Sequence, residues 1–258
     1  MKTKLVLVLP GILVALLGTI SPSERAAFNR LVNAETKPRV LYLTHSAGFK
    51  HQVLPLSEKM FQEMGERSGF DLTATQDCSL ISKAGLAPYR VVAFYTTGEL
   101  PMSEDQKAAL LDFVKSGHGF VGIHSATDTF YKWSDYGEMI GGYFDGHPWH
   151  QEVAINVEDR KHPATKHLGA SFKITDEIYQ FKNFSRDRVH VLLSLDVASV
   201  DLSKKGVNRT DKDFANSWTR SYGNGRVFYT ALGHRDEVWQ DERFQQHLIG
   251  GVRWAGRF

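Results

Sequence analysis

Short apolar runs, each closing on a polar or glycine-bearing turn and separated by helix-periodic segments, leave this chain few ways to fold. Val40-Leu41-Tyr42-Leu43-Thr44 is one such run and ends at His45 and the loop Ser46-Ala47-Gly48-Phe49-Lys50-His51. From about Leu54 to Arg67 the period changes: Leu56, Met60, Phe61 and Met64 share one helical face, and Gly69 stops the helix. Phe70 to Thr75 reads as a second strand, Leu80 to Leu86 as a short helical piece, and Arg90 to Tyr95 as a third strand ending in Thr96-Thr97-Gly98-Glu99. Ser103 opens a helix to Ser116, with Gln106 completing a capping box and Gly117 as the stop. Phe120 to Ile123 is a fourth, nearly all-apolar strand. Such alternation predicts an α/β fold with a mainly parallel sheet and helices on both faces, of the flavodoxin-like kind, with sites at the carboxyl ends of the strands.

The fourth run ends in Gly122-Ile123-His124-Ser125-Ala126. Small residues two positions to either side of His124 suit a tight strand-to-helix turn that presents its central side chain, the geometry of a nucleophile elbow. The central residue is His, neither Ser nor Cys. After it, Phe130 to Gly142 reads as helix, and Gly141 to His150 as loop. Val153, Ile155 and Val157 alternate with polar residues, which predicts a half-wet antiparallel strand over Glu152 to Glu158. Asp176 to Phe181 and Val189 to Leu195 are further extended pieces, and 196–214 is a polar loop. Gly223-Asn224-Gly225 marks a hairpin between two strands, the second running into Ala231-Leu232-Gly233-His234. A helix from about Glu242 to Trp254 closes the chain. The second half therefore adds antiparallel strands to the same sheet.

The N-terminus differs in kind. Lys2 and Lys4 precede an uncharged stretch from Leu5 to Ile20, which reads as a secretory signal and predicts a periplasmic or secreted protein. The run is shorter than a spanning helix needs, so no membrane span is expected in the mature chain. Residues 1–36 are assigned to the signal and a short linker, and 37–258 to the folded domain. A net charge of +2 gives no argument for a nucleic-acid partner. The single cysteine, Cys78, cannot form an internal disulfide.

Five spaced blocks together resemble one family. They are Thr44 to His51, the Gly122 to Asp128 turn, Gly141-Gly142-Tyr143-Phe144-Asp145-Gly146-His147-Pro148, Asp176-Glu177-Ile178-Tyr179, and Ala231 to His234. In order and over nearly the whole mature chain, they are similar to the ThuA, or trehalose-utilisation-like, proteins. The resemblance implies a class I glutamine amidotransferase-like fold and a small-molecule carbohydrate substrate, in settings where disaccharides are oxidised to 3-keto derivatives. The amidotransferases carry a nucleophilic Cys in Gly-x-Cys-x-Gly. Here that position is His124, and Cys78 follows the second strand, so a Cys-dependent glutaminase is not expected.

The chain has eleven histidines. Surface or structural roles suffice for His118, His162, His167, His190 and His247. His45, His51, His124, His147, His150 and His234 lie in candidate site loops, and His45, His124 and His234 fall at the ends of separate strands. Imidazole takes and gives a proton near neutral pH, which suits proton abstraction beside a carbonyl. On this reading His124, His234, His45 and Asp128 are the candidate catalytic residues. Ser125, Tyr143, His147, Trp149, Glu177 and Tyr179 are the candidate substrate-binding residues, and the aromatic ones, with Phe130, read as platforms for a sugar ring or as packing. His147-Pro148-Trp149-His150 offers an alternative: neutral imidazoles suit a divalent metal, zinc or manganese, with His147 and His150 as ligands. Three functions stay open at this point. They are acid–base isomerisation, elimination or hydrolysis of an oxidised disaccharide; non-catalytic sugar binding; and metal-assisted hydrolysis of another substrate.

Overall fold

The computed structural model describes residues 37–258; the signal assigned to 1–36 lies outside the described residues. The first half holds β1 (Arg39–Leu43), α1 (Leu54–Ser68), β2 (Asp71–Thr75), α2 (Lys83–Leu86), β3 (Val91–Phe94), α3 (Glu104–Lys115), β4 (Gly119–Ile123) and α4 (Ser134–Ile140). The second half holds β5 (Tyr143–Phe144), β6 (Trp149–Val157), β7 (Ser171–Ile178), β8 (Phe181–Lys182), β9 (His190–Leu195), β10 (Ala215–Tyr222), β11 (Gly225–Thr230), α5 (Asp236–Gln240) and α6 (Glu242–Gly256). A nine-stranded sheet runs in the order β2-β1-β3-β4-β11-β10-β9-β6-β7, and β5 pairs with β8 apart from it. Strands β2, β1, β3, β4 and β11 are mutually parallel, and the pairs from β11 out to β7 are antiparallel.

The parallel half is covered on both faces, and the sequence period shows it. Val40 and Tyr42 of β1 point into one core with Phe61 and Met64 of α1 and Leu248 and Val252 of α6. Leu41 and Leu43 point into the other with Leu110 and Val114 of α3 and Tyr136 and Met139 of α4. A strand buried on both sides needs no polar alternation, which is why these strands read as continuous apolar runs. The capping box at Ser103 and Gln106 is present. The hairpin closes at Gly223, whose φ is +57°.

Two expectations need adjustment. The helix expected over 130–142 is trimmed to Ser134–Ile140, because Phe130 takes φ +57° and Tyr143 Oη donates to the Phe130 and Trp133 carbonyls. The extended piece expected from Asp176 begins five residues earlier, at Ser171, and pairs along the length of β6. Among the described residues, no helix is long and apolar enough to cross a membrane.

The outer strands do not continue the plane. In a flat sheet β7 would stand about 19 Å from β11, four strand spacings away. Yet Glu177 of β7 lies 3.2 Å from His234, just beyond β11. The antiparallel half therefore curls back over the strand ends. The β9–β10 pairing shifts register around Ser217, the kind of bulge that bends a sheet.

Candidate active site

The tight turn expected at the end of β4 is present, and it is strained. His124 carries φ +45°, a left-handed value rare outside glycine, at the head of a 3-10 turn over His124–Thr127. Two small neighbours make room. A Cβ on Gly122 would fall 2.9 Å from the Tyr229 ring and 3.3 Å from Ala126 Cβ. Two buried phenols satisfy the turn's carbonyls: Tyr229 Oη donates to His124 O at 2.7 Å, and Tyr136 Oη to Ala126 O at 2.7 Å.

The turn drives the His124 ring into a group of four. His51 arrives from the loop after β1, His124 from β4, His234 from the end of β11, and Glu177 from β7. Their ligand-capable atoms all lie within 4.8 Å of one another. The three imidazoles form a near-equilateral triangle, with ring centres 5.0, 5.2 and 5.2 Å apart and planes crossing at 83°, 81° and 71°. His124 Nε2 lies 3.2 Å from His234 Nδ1 and 3.4 Å from Glu177 Oε2, and His234 Nδ1 lies 3.2 Å from the same oxygen.

Hydrogen bonds assign the tautomer. His124 Nδ1 donates to the Ala231 carbonyl at 2.7 Å, so in the neutral ring Nε2 carries the lone pair that faces the cluster. Tyr179 Oη stands 2.9 Å from that nitrogen, and Tyr95, whose Oη donates to Gly233 O, packs under both His51 and His124. Burial, with His124 and His234 alongside, pushes the His51 pKa down to about 3, so its ring is neutral; its buried Nδ1 has no partner among the described residues. Burial alone would raise the Glu177 carboxyl, but the protonated forms of His124 and His234, by hydrogen bond and by charge, hold it well below the usual carboxylate range. His234 is the converse case: burial lowers it, and the Glu177 carboxylate more than offsets this.

This donor set fits a divalent cation. A tetrahedral zinc with bonds of about 2.0–2.1 Å has ligand–ligand edges of about 3.3–3.4 Å, close to the 3.2–3.4 Å separations among His124, His234 and Glu177, with the His51 donor within 4.8 Å of them. A ligating histidine that donates its other N–H to a backbone carbonyl is the usual supporting arrangement, and His124 has it.

The cluster differs in membership from the one the spacing suggested. The His147–His150 pair does not form a ligand group. His147 lies in the loop before β6 and His150 is the second residue of that strand, and the two meet different partners. His147, half exposed, instead meets Glu177 Oε1 from outside at 3.2 Å, and His150 faces Arg235 at 3.4 Å. His45 stays apart, its Nδ1 on the Gln76 carbonyl. Asp128 also lies outside the group of four. Its Oδ1 accepts from Tyr131, and burial raises its carboxyl despite that bond.

Of the substrate-binding candidates, Glu177 and Tyr179 sit within the site and His147 touches it. Ser125 is wholly buried, with no partner for Oγ among the described residues. Trp149 is buried against Phe214 with Nε1 on the Asp201 carbonyl, and Tyr143 is pinned by the carbonyls of Phe130 and Trp133. Neither offers a face to a sugar.

Sequence reasoning placed His51 in a site loop without giving it a role, and it missed Asp176. That carboxylate is fully buried and accepts from Gly233 N at 2.8 Å, which fixes the backbone next to His234. Cys78 is buried beyond β2, with its thiol pushed up to about 11 by burial and Asp77, in line with a site that uses no thiolate.

A family model described as trehalose utilisation, ThuA, matches residues 39–255. A ThuA-like protein from Bacteroides uniformis aligns with a TM-score of 0.73 and 29% identity, over 86% of this chain and 94% of that one. A ThuA-like protein from Parabacteroides merdae gives 0.67 and 22%, over 85% and 90%. PurLQS from Thermotoga maritima, at 0.50 and 17% over 84% and 99%, shares the fold alone. A search of the curated proteins returns no match. The chain belongs to the trehalose utilisation (ThuA) family, on a glutamine amidotransferase-like fold.

Proposed function

We propose that this protein is an exported carbohydrate-processing enzyme acting on oxidised disaccharides, with a divalent metal, zinc or manganese, held by His51, His124, His234 and Glu177. The observation that carries the reading is the convergence of three neutral-capable imidazoles and one carboxylate at the carboxyl ends of parallel strands. A metal held there would supply a Lewis acid for a sugar carbonyl or hydroxyl oxygen. In a 3-keto sugar the hydrogen on the carbon beside the carbonyl is acidic. Its removal leaves an electron pair that moves toward the carbonyl oxygen, from which isomerisation or elimination follows.

The assignment changes the part played by His124 and His234. As ligands they are not free to be the base. His150 lines a pocket together with His51 and His234, its ring 5.1 Å from that of His234, and it takes the proton. Tyr179 packs on the His124 ring, 4.3 Å from centre to centre, and His147 meets Glu177 Oε1, so the two support opposite ends of the ligand set. The leader expected at the N-terminus is the basis for placing the enzyme in the periplasm or outside the cell.

The test separates the two roles. Metal-loaded wild-type protein is expected to convert 3-keto trehalose to a new product. His124→Ala is expected to lose both metal and turnover. His150→Ala is expected to keep its metal, measured by elemental analysis, and to lose turnover by about a hundredfold or more. Full turnover in metal-free protein would refute the reading, as would full turnover in His150→Ala.

A further inference from the structure

Four aromatic side chains read on sequence grounds as sugar platforms or as packing, and none is available as a platform. Phe130, Tyr143, Trp149 and Tyr179 are all buried. The large exposed hydrophobics among the described residues are Phe49, Tyr131 and Phe258. Phe258 ends the chain and packs on Phe70, which leads into β2 at the amino end of the sheet. Tyr131 spends its hydroxyl on Asp128 and lies under the Lys182 ammonium. Phe49 is 65% exposed, and its ring stands 4.9 Å from that of His51, edge to face.

A single exposed phenyl needs no explanation by itself. This one stands on a loop whose backbone is tied down in a particular place. Thr97 Oγ1 donates to the Phe49 carbonyl at 2.8 Å, and the amides of Ala47 and Gly48 donate to the Thr97 carbonyl. The two loops meet so closely that a Cβ on Gly98, at φ +75°, would fall 2.7 Å from Gly48 N. The loops following β1 and β3 are thus joined at the sheet's switch point, with the phenyl carried on top.

Phe49 lines a cavity of about 470 Å³, within the range of small-molecule sites. The same cavity is lined by His51 and His234 of the ligand cluster, by His150, and by Gln52, Arg235 and Glu237. Arg235 and Glu237 form a two-armed pair, Nε to Oε2 at 3.2 Å and Nη2 to Oε1 at 3.1 Å, which offers hydroxyl groups a donor and an acceptor together. A pyranose ring has matching chemistry: a face of C–H groups that sits well on an aromatic ring, and a rim of hydroxyls that takes charged partners.

We infer that this cavity is a pyranose subsite in which Phe49 is the stacking platform and the Arg235–Glu237 pair takes the hydroxyls, placing one sugar unit beside the His51–His124–His234–Glu177 cluster. The inference rests on the carbohydrate reading above and names where the sugar sits. It also accounts for the order of the loop Gly48-Phe49-Lys50-His51: one loop carries the platform and, two residues on, a cluster ligand.

The experiment measures binding of trehalose and 3-keto trehalose to metal-loaded wild-type protein, Phe49→Ala and Phe49→Trp by calorimetry, with indole fluorescence as a second probe in Phe49→Trp. Phe49→Ala is expected to bind the better of the two sugars about tenfold more weakly or worse. Phe49→Trp is expected to stay within about threefold of wild type and to change its emission on adding sugar. All three proteins are expected to hold the same amount of metal. If Phe49→Ala binds sugar as tightly as wild type, the platform is refuted and the carbohydrate reading stands. If wild type itself binds neither sugar, the carbohydrate reading fails and the platform with it.

Discussion

Replacing Glu177 with Gln removes the one formal negative charge of the cluster while keeping the side chain's size. The carboxylate faces His124 and His234 through Oε2 and His147 through Oε1, at 3.2–3.4 Å. As a direct ligand, its neutralisation should cost at least the upper end of what even supporting residues cost a metal site, about a hundredfold in affinity. The consequence can be read as heat stability. Metal at a hundred times its dissociation constant stabilises the folded chain by about 2.7 kcal/mol, or roughly 5–11 °C for a domain of this length. At the same concentration a variant with hundredfold weaker binding gains about 0.4 kcal/mol, about 1 °C. The assay is thermal unfolding of chelator-treated protein titrated with zinc and with manganese. His45→Ala serves as the control and should shift like wild type, because His45 is bonded to Gln76 away from the cluster. The reasoning is refuted if neither metal shifts wild type, or if Glu177→Gln shifts as far as wild type does.

Two further outcomes bear on the scaffold. Gly122→Ala puts a methyl 2.9 Å from the Tyr229 ring and 3.1 Å from Ile140 Cδ1 at the base of the elbow, and should destabilise by about 1–3 kcal/mol in chemical denaturation; an unchanged midpoint would contradict the packing argument. His247 is fully buried against Phe228 with Nδ1 on the Ala164 carbonyl, and burial lowers its pKa to about 3. Below an unfolded value of about 6.5 the unfolded chain takes up a proton that the folded chain refuses, so this group's contribution is full above that pH and lost as pH falls. It should amount to about 2 kcal/mol between pH 6.5 and 5, and His247→Asn, which keeps a donor near Nδ1, should flatten that slope; an identical slope in the variant would remove His247 as its source.

The parallel half of the fold was legible because burial on both faces writes itself into sequence as uninterrupted apolar runs, and β1, β3 and β4 are such runs. The His124 turn was legible for a local reason too: a strained φ with a ring behind it demands small residues, and Gly122 and Ala126 supply them. What sequence could not show depends on contacts between distant segments. Trp149 reads equally well as a sugar platform or as core, and only its seat against Phe214 decides. His147 and His150 read as a ligand pair until the start of β6 sends them to different partners. His51 lacked a role because nothing local says that the loop after β1 bends toward β4 and β11. Glu177 was assigned to the site from its family block, but its place beside His234 requires the curl of strands that individually look ordinary.

That curl makes the site a clasp. The imidazoles belong to the parallel centre and the acid to the outermost strand, where Glu177 pairs with His150 across the β6–β7 ladder. A slip of one residue along that ladder would turn Glu177 to the opposite face and bring Asp176 or Ile178 to the imidazoles in its place. The register of the outermost strand therefore bears directly on the cluster, and an ion held by all four side chains would tie that strand to the parallel centre. The same four atoms that would hold a metal beside a sugar also depend on the outermost strand being in register.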